Sequence, residues 1–388
     1  MRAAFVGFED DTPWLLPVIA HETTDYGWRG LTAEGEVFEV KGIGDGPVSV
    51  PDSILQNYNG TVIGRRKIEN QPIDIGAYLT LFNHAVALYK ANRVKDALNV
   101  SEATLQIAST QRARFNHAMI LLASGRWREG LSRYWECEQH LPFKRPQVVD
   151  ALQRGLKPWM GQSLHDKRIV LLHAHGFGDS IQCLRYVPRF RDKIVIVPDE
   201  LHCLARQVGP ALTDIADVDD ADYFCPLLHL LHFLRVAPEH VSGKPYLASG
   251  SCNITSRKRK IGIAWSIGKP SDGDYPREIP LDLLVQHFRD DQLFSVQIQN
   301  VDEAKRLGVQ TFAMGDFSDC ANLMTAMDAI VSVDTAALHL AGAIGHPKVF
   351  GLLSHWASWR WLAPWYGNVK LCRQTSAGGW QSALAQVR

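Results

Sequence analysis

The sequence predicts an α/β fold in which two consecutive α/β units follow a short helical region and a small β-rich extension. Three observations support this prediction: short apolar, β-branched runs that end in Gly- or Asp-containing loops, an internal helical repeat, and an N-terminal stretch rich in Gly, Pro and Asp. With 388 residues, the chain exceeds the size at which one hydrophobic core usually keeps growing, so we expect two or three domains.

Composition and charge argue against several classes of protein. Lys plus Arg and Asp plus Glu both number 41, so the formal charge is zero and gives no overall attraction to nucleic acid or to an anionic membrane. The seven cysteines contain no C-x-x-C pair and fit free thiols better than a disulfide framework or a zinc site. No apolar stretch approaches the roughly 18 residues of a membrane span, and the N-terminus lacks a signal-peptide pattern. We therefore predict a cytoplasmic protein without a membrane span, for which nucleic acid is a disfavoured partner.

Residues 1–75 are predicted to form the N-terminal extension. Short β-like runs occur at residues 36–40, 47–50 and 61–63, and Gly-Asp-Gly at 44–46 is typical of a turn. The pattern indicates a small β-rich element or an irregular cap, and it assigns no role to the segment.

Residues 76–142 are predicted to be helical and contain an internal repeat with an offset of 33 residues, close to the 34 of a tetratricopeptide repeat. Asn92 and Gly125 occupy the turn between the two helices of each copy. The coinciding pairs are Asn83 and Asn116, His84 and His117, Ala85 and Ala118, Leu88 and Leu121, Arg93 and Arg126, and Leu98 and Leu131. Such a region either binds a protein or braces its neighbour. Since two repeats are too few for an independent solenoid, we favour the brace, or an array completed by a partner.

The first α/β unit is predicted over residues 143–250. An apolar strand at Ile169–Leu172 leads into a loop in which Gly176 and Gly178 allow a sharp turn and a close approach to a ligand. Because the loop is not G-x-G-x-x-G, a nicotinamide cofactor is poorly supported. Asp179 lies at the expected start of the next helix, where it either caps that helix or acts as a general base.

The second α/β unit is predicted over residues 251–388. A strand at Ile261–Trp265 precedes a long loop that begins at Ser266 and carries two cations, Lys269 and Arg277, which either clamp phosphates or are simply solvated. The pattern continues with a helix near Leu281–Phe288, a strand at Leu293–Gln297 and a helix at Cys320–Met327.

The most informative segment runs from residue 329 to residue 353. A buried strand at Ala329–Val333 stops at Asp334 and Thr335, which both have N-cap chemistry, and the helix that follows is predicted to end before Gly345. A helix that opens at the carboxyl end of a parallel strand directs free N–H groups and its positive dipole end into the ligand-binding crevice, where a diphosphate fits. His339, one turn along, can add a hydrogen bond. Alternatively, this is an ordinary crossover in which Asp334 caps and His339 packs.

Five motifs, taken in order, resemble a known family. They are HGFGDSIQCLRYVPRF, KIGIAWS, LFSVQIQ, GDFSDCANLMTAMDAIVSVDTAALHLAGAIGHPKVFGLL and WASWRWLAPWYGNVKLCRQ. Together they resemble bacterial tetratricopeptide-repeat proteins whose glycosyltransferase domain is related to the heptosyltransferases. The likeness covers roughly residues 80–388 and implies a GT-B fold, in which two Rossmann-like domains face a cleft and the C-terminal one (251–388) holds the nucleotide-sugar donor.

The resemblance implies roles for individual residues. Asp334, Thr335, Ala336 and His339 match the segment that contacts the sugar and phosphates of the donor, and Asp179 matches the proposed catalytic base. Three strand-end residues match the donor cleft: Trp265, Ser266 and Gln297. Arg277 matches a loop arginine, Lys269 is a weaker candidate, and Arg360 matches the arginine of a Trp-Arg-Trp element. Ser358 stands where the subgroup commonly has Asp, and His175 where it often has Gln.

The predicted reaction is inverting transfer of a sugar from a nucleotide sugar to a hydroxyl of a protein or saccharide, with the helical repeats engaging the acceptor. Asp179 would take the proton of the hydroxyl, while the N–H groups of Thr335 and Ala336 would stabilise the leaving nucleoside diphosphate with His339 and a basic side chain. No cofactor and no metal are expected, since these groups can supply the positive charge. The alternatives are a silent scaffold or sugar-nucleotide sensor, an epimerase-like enzyme, and a DNA-base glycosyltransferase.

Overall fold

A computed structural model describes residues 2–9, 12–17, 20–24, 27–32, 37–41, 48–50, 74–139, 145–267, 277–356 and 358–387. The chain divides into two compact units, Met1–Lys144 and Arg145–Arg388. The predicted run at 61–63, the turn at 44–46 and the candidate Lys269 lie outside the described residues.

The first unit begins with strands. Its described strands are β1 (Arg2–Glu9), β2 (Thr12–Pro17), β3 (Ala20–Thr24), β4 (Gly27–Leu31), β5 (Val37–Lys41) and β6 (Val48–Val50). They form two antiparallel three-stranded sheets, with the orders β2-β1-β6 and β3-β4-β5. Strands β5 and β6 coincide with two of the predicted β-like runs, whereas the boundary of the extension at residue 75 stays a prediction.

Four helices follow as two hairpins, and the internal repeat is visible in their turns. They are α1 (Ile75–Lys90), α2 (Val94–Ile107), α3 (Gln111–Ala123) and α4 (Trp127–Gln139). Asn92 and Gly125 both adopt positive φ, 59° and 84°, between the helices of each hairpin. The N–H of Arg93 donates to the carbonyl of Leu88 (2.9 Å), and the equivalent N–H of Arg126 donates to that of Leu121 (3.0 Å). The sequence repeat thus encodes a repeated turn, while its assignment to the tetratricopeptide class stays a prediction.

Small residues at equivalent positions let the helices of each hairpin approach closely. Ala97 is fully buried, and a Cβ added at Gly130, 33 residues later, would lie 2.7 Å from Cγ of Leu122. The core of this unit also includes Leu31 of β4, which clusters with Ile75, Tyr78, Phe82, Ala108 and Ala113. The hairpins therefore share their apolar core with a strand of the same unit.

The second unit contains two parallel sheets, each of five strands. The first has the order β10-β9-β8-β11-β7, and its central strand β8 is buried along its whole length. Its strands are β7 (Lys157–Pro158), β8 (Ile169–Leu172), β9 (Lys193–Ile196), β10 (Ala211–Leu212) and β11 (Tyr223–Pro226). Its helices are α5 (Pro146–Gln153), α6 (Phe177–Leu184), α7 (Asp199–Arg206) and α8 (Leu230–Phe233).

The second sheet has the order β13-β12-β14-β15-β16 and is also parallel. Its strands are β12 (Lys260–Ala264), β13 (Gln292–Ser295), β14 (Ala329–Val333), β15 (Val349–Leu353) and β16 (Val369–Arg373). Its helices are α9 (Leu281–His287), α10 (Val301–Arg306), α11 (Phe317–Thr325), α12 (Ala336–Ala343) and α13 (Trp380–Leu384). The prediction of an α/β fold with two Rossmann-like parallel sheets is confirmed, whereas its assignment to the GT-B type stays a prediction.

Two helix starts differ from the predictions. Helix α6 begins at Phe177 with Gly176 as its N-cap, so Asp179 is the third helical residue and not the cap. Helix α11 begins at Phe317 and not at Cys320, because the carboxylate of Asp316 accepts the N–H groups of two residues in its first turn. Among the described residues, no helix combines the length and the apolar character that crossing a bilayer requires.

Candidate functional site

The site is built around the start of α12, at the carboxyl end of β14. Thr335 is the N-cap, with extended backbone (φ −139°, ψ 175°), and its side chain makes no capping hydrogen bond. Within the described residues, the first N–H groups of the helix, those of Ala336 and Ala337, have no protein acceptor. Both Thr335 and Ala336 are half-buried. The helix therefore presents donors and the positive end of its dipole at this edge of the sheet, which suits an anionic group.

Asp334 is buried beside this helix start, with 5% of its surface exposed. Burial raises the pKa of its carboxyl to about 6, although the Trp361 indole and the Arg360 guanidinium act in the opposite direction. One carboxylate oxygen, Oδ1, lies 3.9 Å from Nε2 of His339. Asp334 thus takes up and releases a proton close to neutral pH.

His339 is a neutral, packed imidazole. Burial lowers its pKa to about 3, and its Nδ1 shares a 2.9 Å hydrogen bond with the hydroxyl of Tyr366. Its ring stacks on Trp361, with centroids 4.9 Å apart and planes 21° from parallel. A Cβ added at Gly178 would lie 2.8 Å from Cδ2 of this ring. The histidine therefore packs as in the alternative interpretation, and its donor contact stays a prediction.

Gly178 brings the starts of the two helices α6 and α12 together. A Cβ at this position would also lie 3.6 Å from Cα of Ala336, the first residue of α12. The predicted glycine loop therefore serves a close approach between two helices of the second unit. The second unit has two halves, one with the sheet that contains β8 and one with the sheet that contains β14. The carboxylate of Asp179 from the first half and that of Asp334 from the second therefore lie at the same site.

Asp179 pairs with Arg360. Its Oδ1 lies 2.5 Å from Nη2 of the arginine, and its Oδ2 accepts the N–H of Gly176 at 3.1 Å. Burial would raise the pKa of Asp179, but the charge of Arg360, with a smaller contribution from the Gly176 N–H, holds it below its usual value. The carboxylate is therefore ionised at neutral pH, and both of its oxygens are engaged.

The 3₁₀ turn Trp359–Leu362 positions Arg360. Ser358 caps this turn, and its hydroxyl accepts the backbone N–H of Arg360 (3.4 Å) and its Nη1 (3.3 Å). The indole N–H of Trp365 donates to the Arg360 carbonyl at 2.6 Å. The subgroup that the sequence resembles commonly has Asp at this position. Since Ser358 caps the turn as an aspartate would, the difference leaves the turn intact.

A second group of predicted residues meets at the ends of β12 and β13. The amide oxygen of Gln297 accepts the N–H groups of Trp265 (2.8 Å) and Ser266 (3.2 Å), and its nitrogen donates to the Ser266 hydroxyl (2.8 Å). The amide of Asn300 donates to the same hydroxyl at 2.6 Å. Since Ser266 Oγ accepts twice, its own hydrogen is left to donate. Gln297 therefore joins the ends of two strands and orients the serine hydroxyl.

Arg277 reaches the same edge. Its Nη1 donates to the main-chain carbonyl of Asp334 at 3.3 Å, and the N–H of Ile279 donates to the carbonyl of Trp265 at 3.0 Å, which holds the returning loop against β12. Residues 268–276 of this loop lie outside the described residues. They include Asp272-Gly273-Asp274, two carboxylates two positions apart that suit a divalent cation, so the expectation of metal independence stays a prediction.

Three residues near the site were missed by the sequence analysis. Trp361 and Tyr366 enclose His339, and Arg373 is the last residue of β16. The tryptophans 359, 361 and 365 are buried, and Trp361 is both a core and a site residue. The usable signal for Arg373 was a cation at the end of a short β-like segment, Val369–Arg373.

Arg185 ties the two halves of the second unit together. Its guanidinium lies over the rings of Tyr246 (4.5 Å), Tyr366 (5.1 Å) and Trp365 (5.2 Å). It also donates through Nη2 to the carbonyl of Trp365 at 3.0 Å. Because Arg185 follows α6 and both Trp365 and Tyr366 precede β16, this cation–π cluster fixes the end of α6 against the second half.

Comparison with known proteins gives a distant relative. The chain is 24% identical over 366 residues to the protein FlbA of Caulobacter vibrioides (strain ATCC 19089 / CIP 103742 / CB 15), an alignment that covers 79% of this chain and 60% of FlbA. The chain thus spans about 60% of the length of the curated relative it matches. No known family's sequence profile matches the chain.

Three solved structures are similar to it, all of glycosyltransferases. A family 9 glycosyl transferase from Veillonella parvula DSM 2008 aligns with 10% identity and a TM-score of 0.39, over 55% of this chain and 87% of its own. The E. coli heptosyltransferase WaaC with ADP has 10% identity and a TM-score of 0.31, and the alignment covers 57% of this chain and 96% of WaaC. An O-GlcNAc transferase mutant from Thermobaculum terrenum has 12% identity and a TM-score of 0.31, and the alignment covers 82% of this chain and 91% of the transferase. At these scores the fold assignment rests on the two parallel sheets described above.

Proposed function

We propose that this protein is a glycosyltransferase that moves a sugar from a nucleotide-sugar donor to an acceptor hydroxyl. The single observation that carries the proposal is the convergence, at the start of α12, of unsatisfied helix N–H groups with the guanidinium groups of Arg277 and Arg360 and the carboxylate of Asp179. The motifs quoted from the sequence support the same class. Metal independence and inversion at the anomeric carbon are parts of this proposal.

The donor half of the reaction needs stabilisation of a leaving group. When the bond between the anomeric carbon and the phosphate breaks, negative charge develops on the nucleoside diphosphate. The N–H groups at the start of α12 are fixed in direction before the reaction, so they stabilise this charge without reorganisation. Arg277 adds a positive charge beside them, since its guanidinium is already held at the carbonyl of Asp334.

The acceptor half needs a base. Asp179 is ionised at neutral pH and so can accept the proton of an acceptor hydroxyl, although its lowered pKa makes it a weak base. Its Oδ1 is held by Arg360, so the hydroxyl would approach Oδ2 and compete with the Gly176 N–H. A single in-line displacement with the base and the leaving group on opposite sides of the sugar inverts the anomeric carbon.

A second candidate function is a catalytically silent scaffold or sugar-nucleotide sensor. The observation in its favour is that the ion pair with Arg360 and the bond from Gly176 occupy both oxygens of Asp179. Such a protein would bind the donor without transferring its sugar. No contact in the described residues specifically favours an epimerase-like or DNA-base reaction.

We further propose that the acceptor is a protein or a saccharide and that the two helical hairpins take part in engaging it. The repeated turns at Asn92 and Gly125 present two similar hairpins, as modular recognition surfaces do. We place the reaction in the cytoplasm, which agrees with seven free cysteines.

The test combines donor binding with transfer. Purified protein is screened by thermal shift and isothermal titration calorimetry against UDP-, GDP-, ADP-, CMP- and dTDP-sugars, and a donor that binds is then tested for sugar transfer to protein and saccharide acceptors. We expect one nucleotide class to bind and Thr335→Trp, which fills the start of α12, to abolish binding. If a donor binds and its sugar is transferred, and Asp179→Asn abolishes the transfer, the enzyme proposal is supported. Donor binding without transfer supports the scaffold. If the folded protein binds no donor, both proposals are overturned.

A further inference from the structure

Arg373 ends β16 at the same edge of the sheet as the start of α12. Strand β16 pairs with β15 so that Arg373 lies opposite Leu353, and β15 in turn pairs with β14. The carboxyl ends of these three parallel strands therefore share one edge. At about 4.8 Å per strand, Arg373 begins about 10 Å from the end of β14, within the combined reach of an arginine and a phosphate group.

The side chain of Arg373 lies on the face of the sheet that α12 covers. Cys372 belongs to the core cluster that includes Trp380 and Leu384 of α13, on the opposite face. A Cβ added at Gly351 would contact both Leu338 of α12 and Leu371, so Leu371 shares the face of α12. Because side chains alternate along a strand, Arg373 shares that face with Leu371.

The guanidinium of Arg373 has no protein partner in the described part of the chain. It is half-buried, and neither an ion pair nor a side-chain hydrogen bond joins it to any described residue. Other arginines of this unit are paired, such as Arg168 with Asp192 and Arg259 with Asp291. Burial lowers the pKa of Arg373, and the charge of Asp334 opposes this shift. A cation kept half-buried without a counter-ion costs free energy of folding, which is typical of a site that an anion completes.

Arg277 and Arg373 approach the start of α12 from opposite sides. Arg277 arrives from the β12 side and donates to the carbonyl of Asp334, whereas Arg373 arrives from the β16 side, two strands away from β14. Arg360 is already engaged by Asp179. Of the three guanidinium groups near Asp334, those of Arg277 and Arg360 thus have protein acceptors, whereas no described residue accepts a hydrogen bond from that of Arg373.

We infer that Arg373 binds the diphosphate of the donor and makes the site prefer nucleoside diphosphates to monophosphates. The inference rests on the proposed function and gives a role to Arg373, which lies in the last of the quoted sequence motifs but has no role assigned there. The planar guanidinium can donate two parallel N–H groups to phosphate oxygens, while the N–H groups of α12 hold the other phosphate.

The experiment measures nucleotide binding by calorimetry in the wild type, Arg373→Gln and the control Arg259→Gln. Free UDP, ADP, GDP, CDP and dTDP are compared with the corresponding monophosphates. We expect Arg373→Gln to weaken binding of the preferred diphosphate about 10- to 100-fold and to change monophosphate binding by less than about threefold. Arg259 precedes β12 at the opposite edge of the sheet and is paired with Asp291, so its replacement should leave both affinities unchanged.

A structural role for Arg373 predicts a different pattern. Because the guanidinium lacks a protein partner, Arg373→Gln should keep or raise the melting temperature of the free protein while it reduces the shift caused by the diphosphate. If the Gln variant does not fold, Arg373→Met, which retains the length of an apolar stem, provides the same comparison. If wild type and variant bind the diphosphate with equal affinity, the inference is overturned but the proposed function is not. The same holds if the variant loses affinity only for donors that carry a sugar. Failure of the wild type to bind any nucleotide or sugar nucleotide overturns the proposed function, and the inference falls with it.

Discussion

Replacing Asp334 by Asn should stabilise the protein, and by an amount that grows with pH. Burial raises the pKa of this carboxyl from 3.8 to about 6. The folded protein therefore binds the proton more tightly than the unfolded chain, so the free energy of unfolding is highest below pH 3.8 and falls as the pH rises toward 6. Because Asn carries no charge at any pH, the variant should not show this decrease in the free energy of unfolding.

The magnitude follows from the two pKa values. A difference of about two units corresponds to about 3 kcal/mol once the group is ionised in both states. The gain from Asp334→Asn should therefore be about 3 kcal/mol at pH 7.5 and about 1 kcal/mol at pH 4.5, where the folded state keeps most of its proton.

The assay is equilibrium urea unfolding of wild type and variant at both pH values, followed by far-UV circular dichroism. Asp192→Asn is the control, because Asp192 is exposed and paired with Arg168, and it should change the free energy by less than about 1 kcal/mol at either pH. Destabilisation by Asp334→Asn at pH 7.5, or an equal effect at both pH values, would refute the reasoning.

Three further predictions concern the same site. Arg360→Gln should raise the pKa of Asp179, because burial then acts with less opposition. The acidic limb of the pH–rate profile for sugar transfer should therefore move to higher pH, and an unchanged limb would exclude Asp179 as the base. Gly178→Val should destabilise the protein by about 1–3 kcal/mol in urea unfolding, because His339 is held between Trp361 and the Tyr366 hydroxyl and cannot move aside, and an unchanged midpoint would contradict this packing. Transfer should persist in excess EDTA, and loss of activity that added Mg²⁺ restores would instead show that the reaction requires a divalent cation.

Local chemistry predicted β14 and α12 almost to the residue. The β-branched run Ala329–Val333 is the observed strand, and Gly345 adopts the positive φ (73°) of a helix C-terminus. The same reasoning misplaced the start of α6, because Gly176 caps that helix without a side chain and Asp179 acts from its third position. The carboxylate of Asp179 accepts the N–H of Gly176 from that position, so an acidic residue near a helix start does not by itself mark the cap.

Contacts between distant segments could not be predicted in this way. The pair formed by Asp179 and Arg360 depends on how the two sheets of the second unit are placed, and neither residue indicates the other in the sequence. Arg373 was missed for the same reason, since only the strand order puts the end of β16 beside the start of α12. Sequence patterns thus predicted many of the elements and several of the residues that meet at the candidate site, whereas the strand order and the packing of helices supplied the contacts between them.

The contact at Gly178 also limits how the two halves of the second unit can move. A space that cannot hold one additional carbon beside His339 and Ala336 leaves no room for the helices α6 and α12 to slide past each other. Any rotation of one half against the other would therefore have its axis close to this contact. Because atoms near a rotation axis move least, Asp179 and Asp334 would keep their separation during such a movement.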